Sequence, residues 1–465
     1  MSRIADALFG ARGRYVAFGL FLAIVGMTGG GSRADIQSLI ILRPVAVLFI
    51  GYALLLCNAH DLRRVRGPLV ILLAFIILAL LQLVPLPWSV WTSLPGRAPV
   101  MQADILVGMQ GVARPLSLDP DRTWNTVFAL LVPLAAVLLV AIQRTKLTMR
   151  TIGAIAVVGL VSAVVGYLQA VGVQGLYFYR ITHDNHPVGL FANKNHQSIL
   201  LLWLLVTAAW FVTRVDPRGN AARLQLAAGV AVILVLFPLL LLTGSRAGLV
   251  LAVPGLLVAG WLMLRAAVVK AALRATGKKT RLALYGVAAV LFLVLIGVFA
   301  DLALSGRQTA LDRLFAADPA EEQRWIYFPV LIQMAQDFFV SGSGFGSFEE
   351  LFNQYEPGAV LSTRYLNQAH LDPLQIVIEG GFAGLLLMLG GMAWLAGALW
   401  RTWREPMRPS QDLAIYVAGT LALFMAASLV DYPVRTPLVA TVFAILTATL
   451  AARSNALVPD RDVRG

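Results

Sequence analysis

This sequence has little of what a soluble protein needs. Charged residues make up 13% of its 465 positions against 59% hydrophobic ones, and the mean hydropathy is +0.78. So few polar groups cannot cover the surface of a water-soluble domain, so the chain reads as a polytopic membrane protein. Cys57 is the only cysteine, which excludes an internal disulfide and a multi-thiolate metal site and leaves the redox compartment unreadable. No internal repeat, low-complexity tract or flexible linker stands out, so a single membrane domain spanning 1–465 is the economical organisation. No ladder of acids runs across successive apolar segments, which counts against a proton-coupled transporter. The net charge of +13 raises nucleic acid as a partner. The basic residues, however, are scattered, lack interleaved aromatics and form no dedicated domain, so contact with anionic lipid explains them better.

What the sequence does have is long apolar runs. About 20 residues at about 1.5 Å each cross a bilayer core of about 30 Å. By that measure about twelve transmembrane helices are expected, near 15–31, 37–57, 68–86, 124–142, 151–172, 192–212, 224–242, 247–265, 282–304, 372–400, 412–431 and 434–452. The fold class expected is therefore all-α. Arginine clusters such as Arg63, Arg64 and Arg66, or Arg401, Arg404 and Arg408, recur in alternate connections. Since positive loops stay inside, both termini are expected in the cytoplasm. The first span follows a short basic segment without a small-residue cleavage site and reads as a retained signal anchor. Arg43 falls inside the second span.

Two segments on the opposite side are long, 87–124 and 305–370, and loops of that length carry function or structure of their own. The second, a large loop between the ninth and tenth spans, contains an apolar stripe at Trp325, Phe328, Leu331, Ile332 and Ala335, which predicts a helix lying against the membrane. After it, Ser341 to Phe348 supplies a glycine turn. Its spacing is not that of a dinucleotide fingerprint, and packing onto the membrane domain is the expected role.

Polar clusters interrupt the spans on that same side. Arg246 follows Thr243, Gly244 and Ser245 at a span junction. It reads either as a snorkelling interfacial arginine or as an anion clamp, since a planar five-donor fork suits phosphate oxygens at any working pH. Asn193, Lys194, Asn195 and His196 open the sixth span, as a capped helix start or as part of a site. The loop before them adds Arg180, His183, Asp184 and His186, and the i, i+3 histidines invite a metal hypothesis that no cysteine supports. His370, ahead of Asp372, Gln375 and Glu379, is either a hydrogen-bonded structural group or a base for a sugar hydroxyl. Asp431 and Arg435 read as a salt bridge, and Glu379 as an internal ion-pair partner.

In order along the chain, Gly189-Leu-Phe-Ala-Asn-Lys-Asn-His196, Leu242-Thr-Gly-Ser-Arg-Ala-Gly248, Arg324-Trp325 leading to Gly342-Ser-Gly-Phe-Gly-Ser-Phe348, Ala369-His370 with Gln375 and Glu379, and Asp431-Tyr-Pro-Val-Arg435 resemble the O-antigen ligase and polymerase superfamily of bacterial membrane glycosyltransferases. The resemblance covers residues 176–437. Pro115-Leu-Ser-Leu-Asp-Pro120 is similar to an outer-loop segment of the same proteins.

The resemblance implies a multi-pass protein of the bacterial inner membrane, with its active site facing the periplasm. It implies transfer of a glycan from undecaprenyl diphosphate to lipid A-core in ligases, or to another lipid-linked repeat in polymerases, without metal or other cofactor. His370 is then the candidate base, Arg246 the leading diphosphate ligand, and Arg180, Lys194 and Arg324 second-rank ligands. Asn195, His196, Ser245, Gln375, Asp431 and Arg435 support them. The chain departs from the family at Leu371 and Pro373, where an Asn and an aromatic residue are common, which puts acceptor-side detail in doubt but not His370.

Ligation to lipid A-core is the leading reading, followed by O-antigen or exopolysaccharide polymerisation and then protein O-glycosylation. A lipid or polysaccharide transporter is the rival from another class. It predicts internal pseudo-symmetry and opposed half-helices, whereas the polar clusters here are one-sided.

Overall fold

A computed structural model describes residues 9–143, 148–275, 319–358 and 366–456. Its principal helices are α1 (Ala11–Thr28), α2 (Leu39–Leu56), α3 (Arg66–Leu81), α4 (Pro120–Ala141), α5 (Thr148–Ala170), α6 (Lys194–Val212), α7 (Ala222–Leu242), α8 (Arg246–Arg265), α9 (Pro319–Asp337), α10 (Asp372–Arg404), α11 (Arg408–Ala427) and α12 (Pro437–Asn455). Among the described residues nine helices are long and apolar enough to cross a membrane. Helices α1 and α3 lie where the first and third spans were expected. The expected span 282–304 lies outside the described residues, as do 305–318 and 359–365 of the expected loop. Among the described residues the fold is all-α apart from an antiparallel ribbon of two residues per strand that pairs Pro85 with Pro115 and Leu86 with Arg114.

Burial divides the helices into two classes. In α6, 83% of the apolar window is buried inside the protein, against 17% in α2. The more buried helix is the less apolar of the two, with mean hydropathy 1.4 against 2.4, because polar side chains can be satisfied inside the protein but not in lipid. Polar groups settle it: the Trp203 indole donates to the Tyr416 hydroxyl at 2.9 Å, and Thr207 Oγ1 lies 2.9 Å from the same oxygen. The Trp210 and Tyr416 rings stack with centroids 4.9 Å apart. These contacts make α6 the central helix. Its first residues, Asn195 and His196, are thereby held against α8, α11 and the turn ahead of α12.

Helix starts at the same end of the bundle carry orthodox caps. Asn193 Oδ1 accepts the Asn195 N–H at 2.8 Å, and Ser245 Oγ accepts the Gly248 N–H at 3.0 Å. Pro373, Pro409 and Pro437 occupy first-turn positions, where a missing N–H costs nothing.

Helix α10 is broken. Gly381 has φ 60° and ψ −153° inside it, which interrupts the hydrogen-bond ladder, and a helix broken at membrane depth must find other partners for the freed carbonyls. They come from the glycine turn. The Ser343 N–H donates to Ile378 O and the Gly344 N–H to Glu379 O, both at 3.0 Å, and the Gln82 amide adds a bond to Glu379 O at 2.9 Å. The approach requires glycine: Gly342 has φ 72°, and a Cβ there would sit 2.4 Å from Glu379 O. Arg97 ties the 87–124 segment to this turn. It is buried between the Trp91 and Phe338 rings and donates to Leu116 O at 2.8 Å and Gly342 O at 3.0 Å.

The expected helix in the long loop is present as α9, but its buried stripe differs from the one expected. Tyr327, Leu331, Met334, Ala335 and Phe338 are buried, whereas Phe328 and Ile332 face outward. The helix packs on α10 and on the short helix Phe348–Tyr355, and that contact selects the face around Met334.

Candidate active site

The segment 366–372, which leads into α10, separates two polar groupings. His370 has φ 52°, a left-handed conformation uncommon outside glycine. It is held from both sides: the Ala369 N–H donates to Gln375 Oε1 at 2.9 Å, and the Asp372 N–H to Ser428 O at 2.9 Å. The His370 ring lies against Tyr432, with centroids 4.8 Å apart.

The first grouping centres on Asp431, 2% exposed. Its Oδ1 lies 3.4 Å from His370 Nδ1 and 3.9 Å from His196 Nε2, and accepts the Tyr432 N–H at 2.9 Å. Oδ2 accepts from the Asn195 amide at 2.8 Å. Ser245 Oγ in turn donates to Asn195 Oδ1 at 2.8 Å, so the residue preceding Arg246 is wired to the carboxylate through one amide. His196 Nδ1 meets Thr436 Oγ1 at 2.9 Å. One carboxylate thus orients an imidazole and is itself fixed by α6 and α8.

The second grouping centres on Arg435. Its Nε donates to Asp372 Oδ1 at 2.6 Å, and its Nη1 lies 3.5 Å from Glu379 Oε2. Gln375 Nε2 donates to Glu379 Oε1 at 2.9 Å and to Gln368 Oε1 at 2.6 Å. The expected Asp431–Arg435 salt bridge does not form. The 3₁₀ turn Pro433–Arg435 turns the guanidinium towards α10, where two carboxylates satisfy it, while Asp431 is already taken by histidine, amide and backbone donors. Glu379 is the ion-pair partner expected of it.

A cavity of about 1030 Å³ opens on the Arg435 side. Gln368, Asp372, Glu379 and Arg435 contribute polar wall, and Phe75, Leu130, Leu387, Trp394 and Phe443 contribute apolar wall. Neither His370 nor Asn195, Ser245 or Arg246 lines it.

The structure thus brings together Asn195, His196, Ser245, His370 and Asp431, and places Gln375 and Arg435 one step along the same segment. Arg246 opens α8 directly after its cap. Lys194 opens α6 with Nζ 3.5 Å from His186 Nε2, and its N–H donates to His183 Nδ1 at 3.3 Å. Among the described residues no group of three or more His, Cys, Asp or Glu side chains is arranged as metal ligands. Arg180 is exposed on the loop before α6. Arg324 lies in α9, but its side chain is outside the described residues.

Sequence reasoning did not nominate Tyr432 or Gln368, although each is close to a nominated residue in the chain. Nor did it nominate Arg33, Arg122 or Asn125 at the cavity, whose shared position no local motif reveals.

Residues 230–389 match the family described as O-Antigen ligase. No curated protein matches the chain. The matched stretch contains Ser245, Arg246, the glycine turn, His370, Gln375 and Glu379, while Asn195, His196, Asp431 and Arg435 meet them from outside it. Residues 230–389 are thus similar to the O-antigen ligase family, within a chain whose long apolar helices make it an all-α, multi-pass membrane protein.

Proposed function

We propose that the protein moves a glycan from undecaprenyl diphosphate to an acceptor hydroxyl at the periplasmic face of the bacterial inner membrane, with lipid A-core as the acceptor and no metal taking part. The whole of 1–465 acts as one membrane domain, with the catalytic region in 176–437 and the 305–370 loop on the periplasmic side. The observation that carries this reading is His370 Nδ1 facing the buried Asp431 carboxylate at 3.4 Å. A carboxylate at Nδ1 favours the tautomer with its proton there and leaves Nε2 as the basic nitrogen. His370 takes the proton of the acceptor hydroxyl as that oxygen bonds to the anomeric carbon of the donor sugar. The bond from that carbon to the diphosphate oxygen breaks, and its electron pair leaves on the diphosphate. Arg246 meets the growing negative charge with a guanidinium that remains charged throughout. Arg180, Lys194 and Arg324 are further diphosphate ligands, and Asn195, His196 and Ser245 hold Asp431 and the start of α8 in register.

The test is reconstitution of purified protein with lipid-linked donor and lipid A-core. His370→Ala and Arg246→Ala should each abolish transfer while the protein remains folded in the membrane, and full activity of both would overturn the reading. Glycosylated lipid A-core supports the ligase, whereas elongation of the lipid-linked chain instead makes the protein a polymerase.

A further inference from the structure

A polar pair that the proposed chemistry does not use bridges α2 and α4. Arg43 sits within α2 among apolar residues, where a guanidinium is costly and calls for a specific partner. Its Nη2 donates to Asn125 Oδ1 on α4. Its guanidinium carbon lies 5.8 Å from the Phe128 ring centroid, and its Nε is buried with no hydrogen-bond partner.

Asn125 also lines the 1030 Å³ cavity, beside Arg122 and Thr126. A side-chain amide has one acceptor end and one donor end. With Oδ1 engaged by Arg43, the NH₂ is the end left for the cavity. The remaining charges at that mouth come in pairs: Arg33 with Asp35 at 2.9 Å, and Arg122 with Glu349 at 3.3 Å. Deeper in, Arg435 carries Asp372 and Glu379. Carboxylates among the arginines repel a bare diphosphate, but they accept hydrogen bonds from sugar hydroxyls while the guanidiniums and the amide donate to phosphate and ring oxygens. The apolar wall beyond them suits acyl chains.

We infer that this cavity is the acceptor-lipid site, that Asn125 binds an oxygen of the phosphorylated glycolipid headgroup, and that Arg43 is the positioning residue that turns the amide's donors inward. This rests on the transfer proposed above. It adds that the two lipids flank the 366–372 segment, with the donor diphosphate on the Arg246 side and the acceptor on the Arg435 side.

Asn125→Asp separates this role from a merely structural one. The aspartate keeps an acceptor for Arg43 and turns the contact into an ion pair, so a structural role is preserved or strengthened. It supplies no donor and places a negative charge towards the headgroup. In nanodiscs, Asn125→Asp should weaken binding of purified lipid A-core about tenfold or more, the loss expected when a hydrogen bond to a charged group is removed. Binding of undecaprenyl diphosphate and the unfolding midpoint should remain at wild-type values. Weakened undecaprenyl diphosphate binding with lipid A-core unaffected would overturn the inference, and so would wild-type binding of both. If the aspartate variant does not fold, Asn125→Leu gives the same two lipid-binding readouts, with a lower unfolding midpoint because it leaves Arg43 without this acceptor. Failure of the wild-type protein to bind either lipid would reject the underlying transfer reaction, and it is told apart from failure of the inference because no variant is needed to see it.

Discussion

The Asp431 and Arg435 groupings stand a few residues apart in the chain and have opposite charge arithmetic. Around Asp431 a single carboxylate faces two imidazoles, an amide and a backbone N–H, so the fixed donors hold it in place while it orients the rings. Around Arg435 a single guanidinium faces two carboxylates on α10, and the three form a buried ion-pair cluster. The first arrangement is suited to tuning a base and the second to holding a segment in place. The same short stretch of chain, 366–372, runs between them and takes its shape from one and its chemistry from the other.

The sharpest way to break this contrast is Asp431→Asn, which keeps the shape but removes the charge. Turnover should fall by roughly 10²- to 10⁴-fold, the range covered by general-base assistance, while the unfolding midpoint changes little. Single-turnover transfer alongside thermal unfolding checks both halves. Arg435→Met should behave the other way round. It leaves Asp372 and Glu379 buried without their cation, a loss of about 3–5 kcal/mol, readable as a lower midpoint in detergent, and adding Glu379→Gln should restore part of it. If Arg435→Met left stability intact and abolished only turnover, the Arg435 grouping would be catalytic rather than structural.

A smaller effect is expected at the glycine turn packed on the break in α10. Gly342→Ala forces a side chain into a left-handed position against Glu379 O and should cost about 1–3 kcal/mol, the usual size for strain at such a position, with a parallel loss of activity because Glu379 and Gln375 shift together. The smallest effect concerns the cavity rim. Burial raises the Glu349 carboxyl above its ordinary value, and Arg122 only partly opposes this. A raised carboxyl contributes stability that is fully present below the unfolded pKa of about 4.3 and lost as pH rises through the folded value. The unfolding midpoint of wild type should therefore fall slightly relative to Glu349→Gln as pH is raised from about 4 through the folded value, and parallel midpoints across that window would contradict it.

Much of the bundle was legible in the sequence because membrane spanning imposes length and hydropathy directly. Helices Leu39–Leu56, Lys194–Val212 and Arg246–Arg265 lie where apolar runs placed them. The glycine turn was legible as a turn, and its packing onto the membrane domain followed. Partner choice was not legible. Asp431 and Arg435 are spaced like a salt bridge, but a 3₁₀ turn and competing donors separate them, and neither is encoded in a four-residue interval. The buried stripe of α9 shares Leu331 and Ala335 with the expected one but turns towards Tyr327 and Met334, because apolar and aromatic residues lie on both faces and only the neighbouring helices select between them. The break in α10 had a cue in the consecutive Gly380 and Gly381, but its repair by Ser343 and Gly344 depends on residues more than thirty positions earlier. The cavity, assembled from six helices and several loops, has no sequence signature at all.

That repair has a consequence for how the protein is made. The N–H donors of Ser343 and Gly344 precede Ile378 and Glu379 in the chain, so synthesis delivers them before the carbonyls they satisfy. A helix broken in hydrocarbon would otherwise pass through a state with bare carbonyls facing lipid. Here the residues of the splint are synthesised before those of the fracture. The order of these two segments is therefore part of the fold's assembly, and a circular permutation that reversed it would leave the broken helix waiting in the bilayer for its partners.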